Sequence, residues 1–405
     1  MNYRQARFLM IVVGAVLCSL ALAKPAAAQS TYYVDSSGGS DANDGLAPER
    51  AWQSLGKVNG VRLKAGDSVL FRRGGTWTGQ VVLKTSGRPG RPITIAAYGT
   101  GERPILSGGQ VGIDGNGQSH IVIRDLQFRG TTGPAIRSRG SADWRIDHVN
   151  IDGSGLGHDG RNLDFSGIQF WNSRDLVIEN SALSNVHGDG IWGWEVERLK
   201  IRKNRVEVCQ GGDADNVHLY APRDFEIRDN YFSMEGNTES GKGNLHSQAG
   251  TNGLIEGNEL RGGNYGVGMT DDNLIVRNNR FFNHDKAKWS AAIIVSEVYD
   301  VKNNSFVDNS IVKANMGIYI LNLRGTYFRE NFQIRDNVFE SIRRAAMVVE
   351  APISGEFTGN VLRNSPGASI INRNVRLIRG QRWDERANVA VGSGPQYPAR
   401  SGQPR

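Results

Sequence analysis

One short pattern recurs along the chain: an apolar residue, two further residues, Asn, one residue, and a second apolar residue. It reads VIENSA at 177–182, IRKNRV at 201–206, IRDNYF at 227–232, IEGNEL at 255–260, VRNNRF at 276–281, VKNNSF at 301–306, IRDNVF at 334–339 and FTGNVL at 357–362. Its asparagines, 180, 204, 230, 258, 279, 304, 337 and 360, lie 21 to 33 residues apart. Two earlier copies, IRDLQF (123–128) and IDHVNI (146–151), carry Leu126 and Val149 at the Asn position. A constant core with variable spacing puts the insertions in loops. Each copy alternates apolar and polar residues over too short a run for a helix, and Gly, Asn and Asp around it suit turns. A unit of this size cannot bury its own apolar face. Stacked as coils of parallel strands, the units share one core, and an inward Asn can hydrogen-bond to its copy on the next coil. No helix per unit, leucine-rich spacing or Trp-Asp blade ending points to another repeat class.

On these motifs the sequence resembles the right-handed parallel β-helix proteins of the pectate-lyase-like superfamily, a group of polysaccharide lyases, glycoside hydrolases and uronate epimerases. The resemblance spans roughly residues 31–385. It implies an all-β solenoid, a right-handed parallel β-helix of about ten or more rungs. Residues 29–385 then form a single domain, with 29–110 as the N-terminal cap and first rungs. Trp52, Leu55 and Val58 fall on one face of a short capping helix, which would close a coil end that otherwise exposes core and strand edges. Residues 386–405, rich in Gly, Pro and Arg, read as a disordered tail.

Arg4 and Arg7 precede an apolar run from Phe8 to Ala23, and small residues follow, so residues 1–28 read as an export signal. The run is short for a membrane span, which needs about 20 residues. A periplasmic or secreted monomer without stable membrane insertion is expected. Loss of Arg4, Arg7 and Lys24, and of no acid, lowers the net charge from +7 to +4. This surplus is compatible with an anionic polymer, and no dense basic run with interleaved aromatics calls for nucleic acid. Cys18 leaves with the signal, so Cys209 has no intrachain partner.

Within each repeat a second strand can be aligned on its first inward residue: Ile136, Ile168, Ile191, Val217, Leu245, Val267, Ile293, Ile318, Met347 and Ile370. Side chains alternate along a strand, so the next residue points outward: Arg137, Gln169, Trp192, His218, His246, Gly268, Ile294, Tyr319, Val348 and Ile371. A second outward column runs through Arg139, Trp171, Trp194, Tyr220, Gln248 and Thr270. Neighbouring rungs lie about 4.8 Å apart, which stacks His218 on His246, beside Tyr220 and after Trp192 and Trp194. At the entrance to the strand Asp189 aligns with Asp215, and His187 with Asp213.

Three chemistries suit this gathering. Trp faces in an outward groove pack against sugar rings, and the superfamily resemblance implies an acidic polysaccharide as partner. In β-elimination, His218 or His246 removes the proton next to a uronate carboxylate, Tyr220 protonates the leaving oxygen, and Arg223 or Lys242 neutralises the developing charge. Trp171, Trp192, Trp194, Gln248, Lys242 and His187 would contact substrate. C5-epimerisation shares the first step. Alternatively Asp189 and Asp215, on adjacent rungs, act as the paired carboxylates of a glycoside hydrolase. The third use of the acids is a Ca²⁺ site built from Asp213, Asp215, Asp271 and Asp272, hard oxygen ligands of the kind many lyases of this fold employ. A polysaccharide-binding coil without catalysis needs aromatics and amides, but not two imidazoles at one place.

Overall fold

In the computed structural model, residues 29–391 are described, except 116, 158–164, 212–213, 238–241, 297–298, 323–326 and 373–382. The export signal expected at 1–28 lies outside them. Alternating apolar residues produce a right-handed coil with three walls. Among the described residues a sheet of 26 strands forms the first two walls and a sheet of 13 strands the third. The first two are continuous because Leu245–Glu256 runs round the corner as one strand. The strands pair in parallel between successive coils.

On the first wall the aligned column Ile136, Ile168, Ile191, Val217, Leu245, Val267, Ile293, Ile318, Met347 and Ile370 is in register throughout. These residues, with Ile146, Ile178, Ile201 and Ile227 from the second wall and Phe128, Leu183, Phe232 and Phe281 from the third, make one apolar core along the axis. The N-terminal end is closed by Leu55–Gly60, a helix capped by Ser54, whose hydroxyl accepts from the Lys57 amide. Leu55 and Val58 are buried as expected, but Trp52 precedes the helix and pairs with Val34 instead.

An amide ladder marks the corner between the second and third walls. Asn204, Asn230, Asn258, Asn279, Asn309, Asn337, Asn360 and Asn388 each receive both the backbone and the side-chain N–H of the asparagine on the coil before, except that Asn204 receives only the Ser181 amide. Each also donates to a carbonyl of the preceding coil, such as Asn258 to Ile227. Two members differ from the sequence reading. Asn180 is the bend residue, with φ 50°, and Ser181 occupies the rung because Ile178 pairs with Ile201. Asn304 lies at the other corner, accepting from the Leu274 amide, and Asn309 takes the rung below Asn279. The physical cause is the left-handed residue before each rung, for instance Lys203, Asp229 and Asp308, which turns the next side chain inward. Where two polar residues stand together, the pattern does not say which of them makes the bend.

The coil also runs beyond residue 385. Asn388 continues the ladder and Val389–Val391 pairs with Val361–Arg363, whereas residues 392–405 of the expected tail lie outside the described residues. The connections from the third wall to the first are short in most coils, but 153–165, 208–216 and 234–244 are long. These three border the middle of the first wall.

Candidate functional site

The middle of the first wall carries the residues that the alignment brought together. Trp192, His218 and His246 are direct neighbours across the strands, as are Trp194, Tyr220 and Gln248. The two imidazoles stack with centroids 4.9 Å apart and planes 20° from parallel. His218 keeps 16% of its side chain exposed and His246 11%.

Each imidazole has its own acid. Asp189 and Asp215 stand in one column at the strand entrance, two residues before Ile191 and Val217. His218 Nδ1 lies 3.1 Å from Asp189 Oδ2, and His246 Nδ1 lies 3.6 Å from Asp215 Oδ2. The two acids are linked, since Asp189 Oδ1 accepts from the Asp215 amide. Burial works to lower the His218 pKa, but Asp189 outweighs it and holds the imidazole above its usual value. Burial raises the Asp189 carboxyl, with Asp215 beside it adding to the effect. Burial likewise works against charge on Asp215, yet His246, His218 and Lys242 hold its carboxyl below the usual range. Lys242 therefore belongs to the electrostatics of the site.

A further residue completes the cluster. The Tyr265 hydroxyl donates to Asp215 Oδ1 at 2.9 Å, and its ring meets His246 edge-on at 5.9 Å. Tyr265 stands in the same column as Asp189 and Asp215, two coils beyond Asp215, with Gly243 between. A Cβ on Gly243 would lie 2.1 Å from the Tyr265 carbonyl oxygen and 2.4 Å from its ring, so glycine leaves the gap through which the phenol leans back. Gly243 also donates its amide to Asp215 Oδ1. Extending the Asp189–Asp215 column by two rungs would have found this tyrosine in the sequence.

Other expectations are corrected. Trp192 is only 4% exposed; it packs edge-on against Trp171 at 4.8 Å and stacks on Trp194. Trp194 stacks face to face on Tyr220 at 4.1 Å. The indole faces are thus spent largely on one another, because flat rings at rung spacing pack together, and what the stack offers a ligand is chiefly the edges of Trp171, Trp194 and Tyr220. Gln248 points at the site and donates to His246 Nε2 at 2.7 Å. Arg223 does not reach it: Ala221, with φ 50°, turns the chain round the corner, and Arg223 opens a strand of the second wall, exposed and facing Glu197. His187 is half-buried where the chain enters the first wall and pairs through its backbone with Gln210, whereas Asp213, its partner in the alignment, lies outside the described residues.

Of the four acids proposed for Ca²⁺, the three described ones, Asp215, Asp271 and Asp272, do not face one point. Asp271 points into the coil, fully buried, and its carboxylate accepts from the Gly250 amide. Asp272 accepts from the Lys302 amide near the surface, and Asp213 lies outside the described residues. Alternation along the strand makes it impossible for neighbours 271 and 272 to face one ion outside the coil. Among the described residues, Asp215, His218 and His246 are the group whose ligand atoms gather within 4.8 Å. A separate surface groove of about 590 Å³, lined among others by Lys203, Arg205, Tyr231 and Glu259, follows the amide-ladder corner, away from this chemistry.

Comparison with known proteins bears on these findings. A family model described as periplasmic copper-binding protein (NosD) matches residues 148–387. The lacto-N-biosidase of Bifidobacterium longum subsp. longum is 27% identical over 234 residues, covering 46% of this chain and 15% of that enzyme. The chain therefore spans only a small part of that relative. Among solved structures, the GH136 lacto-N-biosidase of Eubacterium ramulus aligns over 89% of this chain and 68% of its own, with TM-score 0.64 and 14% identity. A mannuronic acid specific polysaccharide family 6 lyase from human gut microbiota aligns over 86% and 83%, with TM-score 0.56 and 15% identity. The periplasmic alginate epimerase AlgG aligns over 82% and 78%, with TM-score 0.54 and 13% identity. At such identities the likeness is one of fold, and all three are parallel β-helix enzymes.

Proposed function

This chain belongs to the family described as periplasmic copper-binding protein (NosD), and on that premise we propose that it is an exported carbohydrate-active enzyme that cleaves a uronate-containing polysaccharide by β-elimination. The observation that carries the reading is the Asp189–His218 pair beside Tyr220, on a wall bordered by long connections. Asp189 holds Nδ1 of His218, which leaves Nε2 for substrate. In this reading His218 takes the proton from the carbon next to the uronate carboxylate. The electron pair forms the C4–C5 double bond, the C4–O bond breaks, and the Tyr220 hydroxyl protonates the departing glycosidic oxygen. Lys242, whose charge already acts on Asp215 and His218, stabilises the carboxylate as it gains enolate character.

Hydrolysis by Asp189 and Asp215 fits less well, since both carboxylates are buried and already engaged by amides and imidazoles. An acid and nucleophile pair needs open faces toward the sugar. The family description names copper, and the donors suit such an ion, because two imidazoles stand beside a buried carboxylate oxygen that accepts no hydrogen bond. His218, His246 and Asp215 would hold it, and when bound it would supply fixed positive charge at the floor of the site.

The reaction is tested by incubating the mature chain with a panel of acidic polysaccharides and following ultraviolet absorbance of unsaturated uronates alongside reducing ends. Elimination gives both signals, and His218→Ala abolishes both while the protein stays folded. Reducing ends without new absorbance would reject elimination in favour of hydrolysis.

A further inference from the structure

Exposure along the first wall stops abruptly beyond the histidines. In their outward column the next position is Gly268, whose place the Tyr265 ring fills: a Cβ there would lie 3.0 Å from it. Further on, Ile294, Tyr319 and Val348 point outward yet are buried, packing with Tyr265 into an apolar cluster separate from the core of the coil. The second outward column is open from Arg139 through Trp171, Trp194 and Tyr220 to Gln248, but Thr270, one coil on, is only 2% exposed. Tyr299 stands at this second stop. It follows Ala291–Val295, the strand three coils beyond Val217–Tyr220. Its hydroxyl hydrogen-bonds back to that of Tyr220, which together with partial burial raises the Tyr299 pKa. That contact carries the phenol past the levels of Thr270 and Gln248. Arg329, fully buried, ties down the backbone beneath: its guanidinium donates to the Tyr299 carbonyl at 2.8 Å and to the Ser296 carbonyl at 2.5 Å. Asp300 accepts from the Phe328 amide at 2.7 Å. A cation sealed among carbonyls is costly to bury, and what this one secures is the place of Tyr299.

We propose that the site receives a chain end: one terminus of a polysaccharide lies along the edges of Trp171, Trp194 and Tyr220 and stops against Tyr265 and Tyr299, so that the protein acts at termini and not in the interior of the polymer. A groove open at both ends admits any stretch of a chain, whereas a barrier beside the reacting groups admits only what terminates there. His218 and Gly268 stand two rungs apart, about 10 Å, which leaves room for a short oligosaccharide between the scissile bond and the barrier. Arg329 is a positioning residue, acting through Tyr299. The choice of a uronate polymer as occupant rests on the reading above; binding of its end is separable from cleavage.

Calorimetric stoichiometry counts the protein molecules that one polymer can carry. The full mature chain with His218→Ala, to suppress cleavage, is titrated with a uronate hexasaccharide and with the parent polymer, for mannuronate, guluronate and galacturonate in turn. The expected result is one protein bound per ligand molecule in both cases, whatever the length of the polymer. Many proteins bound along each polymer molecule overturn the proposal, as does the absence of binding to all of these ligands. Tyr299→Ala, at an exposed side chain, should raise the number bound per polymer several-fold and leave the hexasaccharide at one; an unchanged number in that folded variant removes the barrier and the proposal with it. For the active chain, product sizing early in the reaction should show a single short oligosaccharide while the viscosity of the polymer scarcely falls. A spread of intermediate sizes overturns terminal action. End binding without turnover of any polymer removes the reaction proposed above and leaves the chain-end site standing.

Discussion

Replacing Asp271 by Asn should make the protein more stable at pH 8 and leave it unchanged at pH 4. Asp271 is sealed inside the coil, where burial, offset only in part by Ser247 and the Gly250 amide, raises its pKa from the ordinary 3.8 to about 7. The folded chain therefore holds this proton more tightly than the unfolded chain does. Near pH 4 the folded group is protonated and the unfolded one only about half ionised, so the residue costs little there. As pH rises from 4 to 7 the unfolded chain releases the proton first, so stability falls, and the loss levels off above 7. A shift of this size corresponds to roughly 4 kcal/mol as an upper bound. Asn keeps an oxygen for the Gly250 amide, at 2.6 Å in the present structure, and cannot ionise. Denaturant midpoints for the two proteins at pH 4, 5, 6, 7 and 8 measure the difference, with hydrogen exchange at the Gly250 amide as a local readout in case the solenoid does not unfold in one step. The midpoints should coincide at pH 4 and separate progressively to pH 7. Parallel profiles across the whole range would refute the assignment of Asp271 as a buried, destabilising acid.

The amide ladder and the glycine gap give further tests. Asn258→Ala removes the oxygen that accepts two buried donors of Asn230, at a cost of about 2–5 kcal/mol, whereas Asn180→Ala at the bend should cost far less; equal losses in thermal denaturation would contradict the ladder as drawn. Gly243→Ala drives a methyl into the Tyr265 carbonyl and ring, so it should displace the phenol from Asp215, weaken Cu(II) binding and lower turnover in a protein that still folds; unaltered binding and activity would show that Tyr265 does not organise the cluster.

The sequence alone determined the solenoid and the register of its first wall. A repeated unit stacked at rung spacing turns alignment into proximity, so His218 and His246 could be paired from apolar alternation without any coordinates. The same logic reached Asp189 and Asp215, because they precede aligned strands by equal distances. Tertiary structure decided what local alternation does not contain. A left-handed bend residue chooses whether Asn180 or Ser181 enters the ladder, and another, at Ala221, carries Arg223 round a corner and out of the site. Flat rings at rung spacing pack on each other, which buries Trp192 although its strand position is outward. Tyr265 reaches Asp215 across 50 residues of sequence only because Gly243 leaves a gap in the wall, a contact fixed by side-chain volume between coils rather than by the pattern within any one of them.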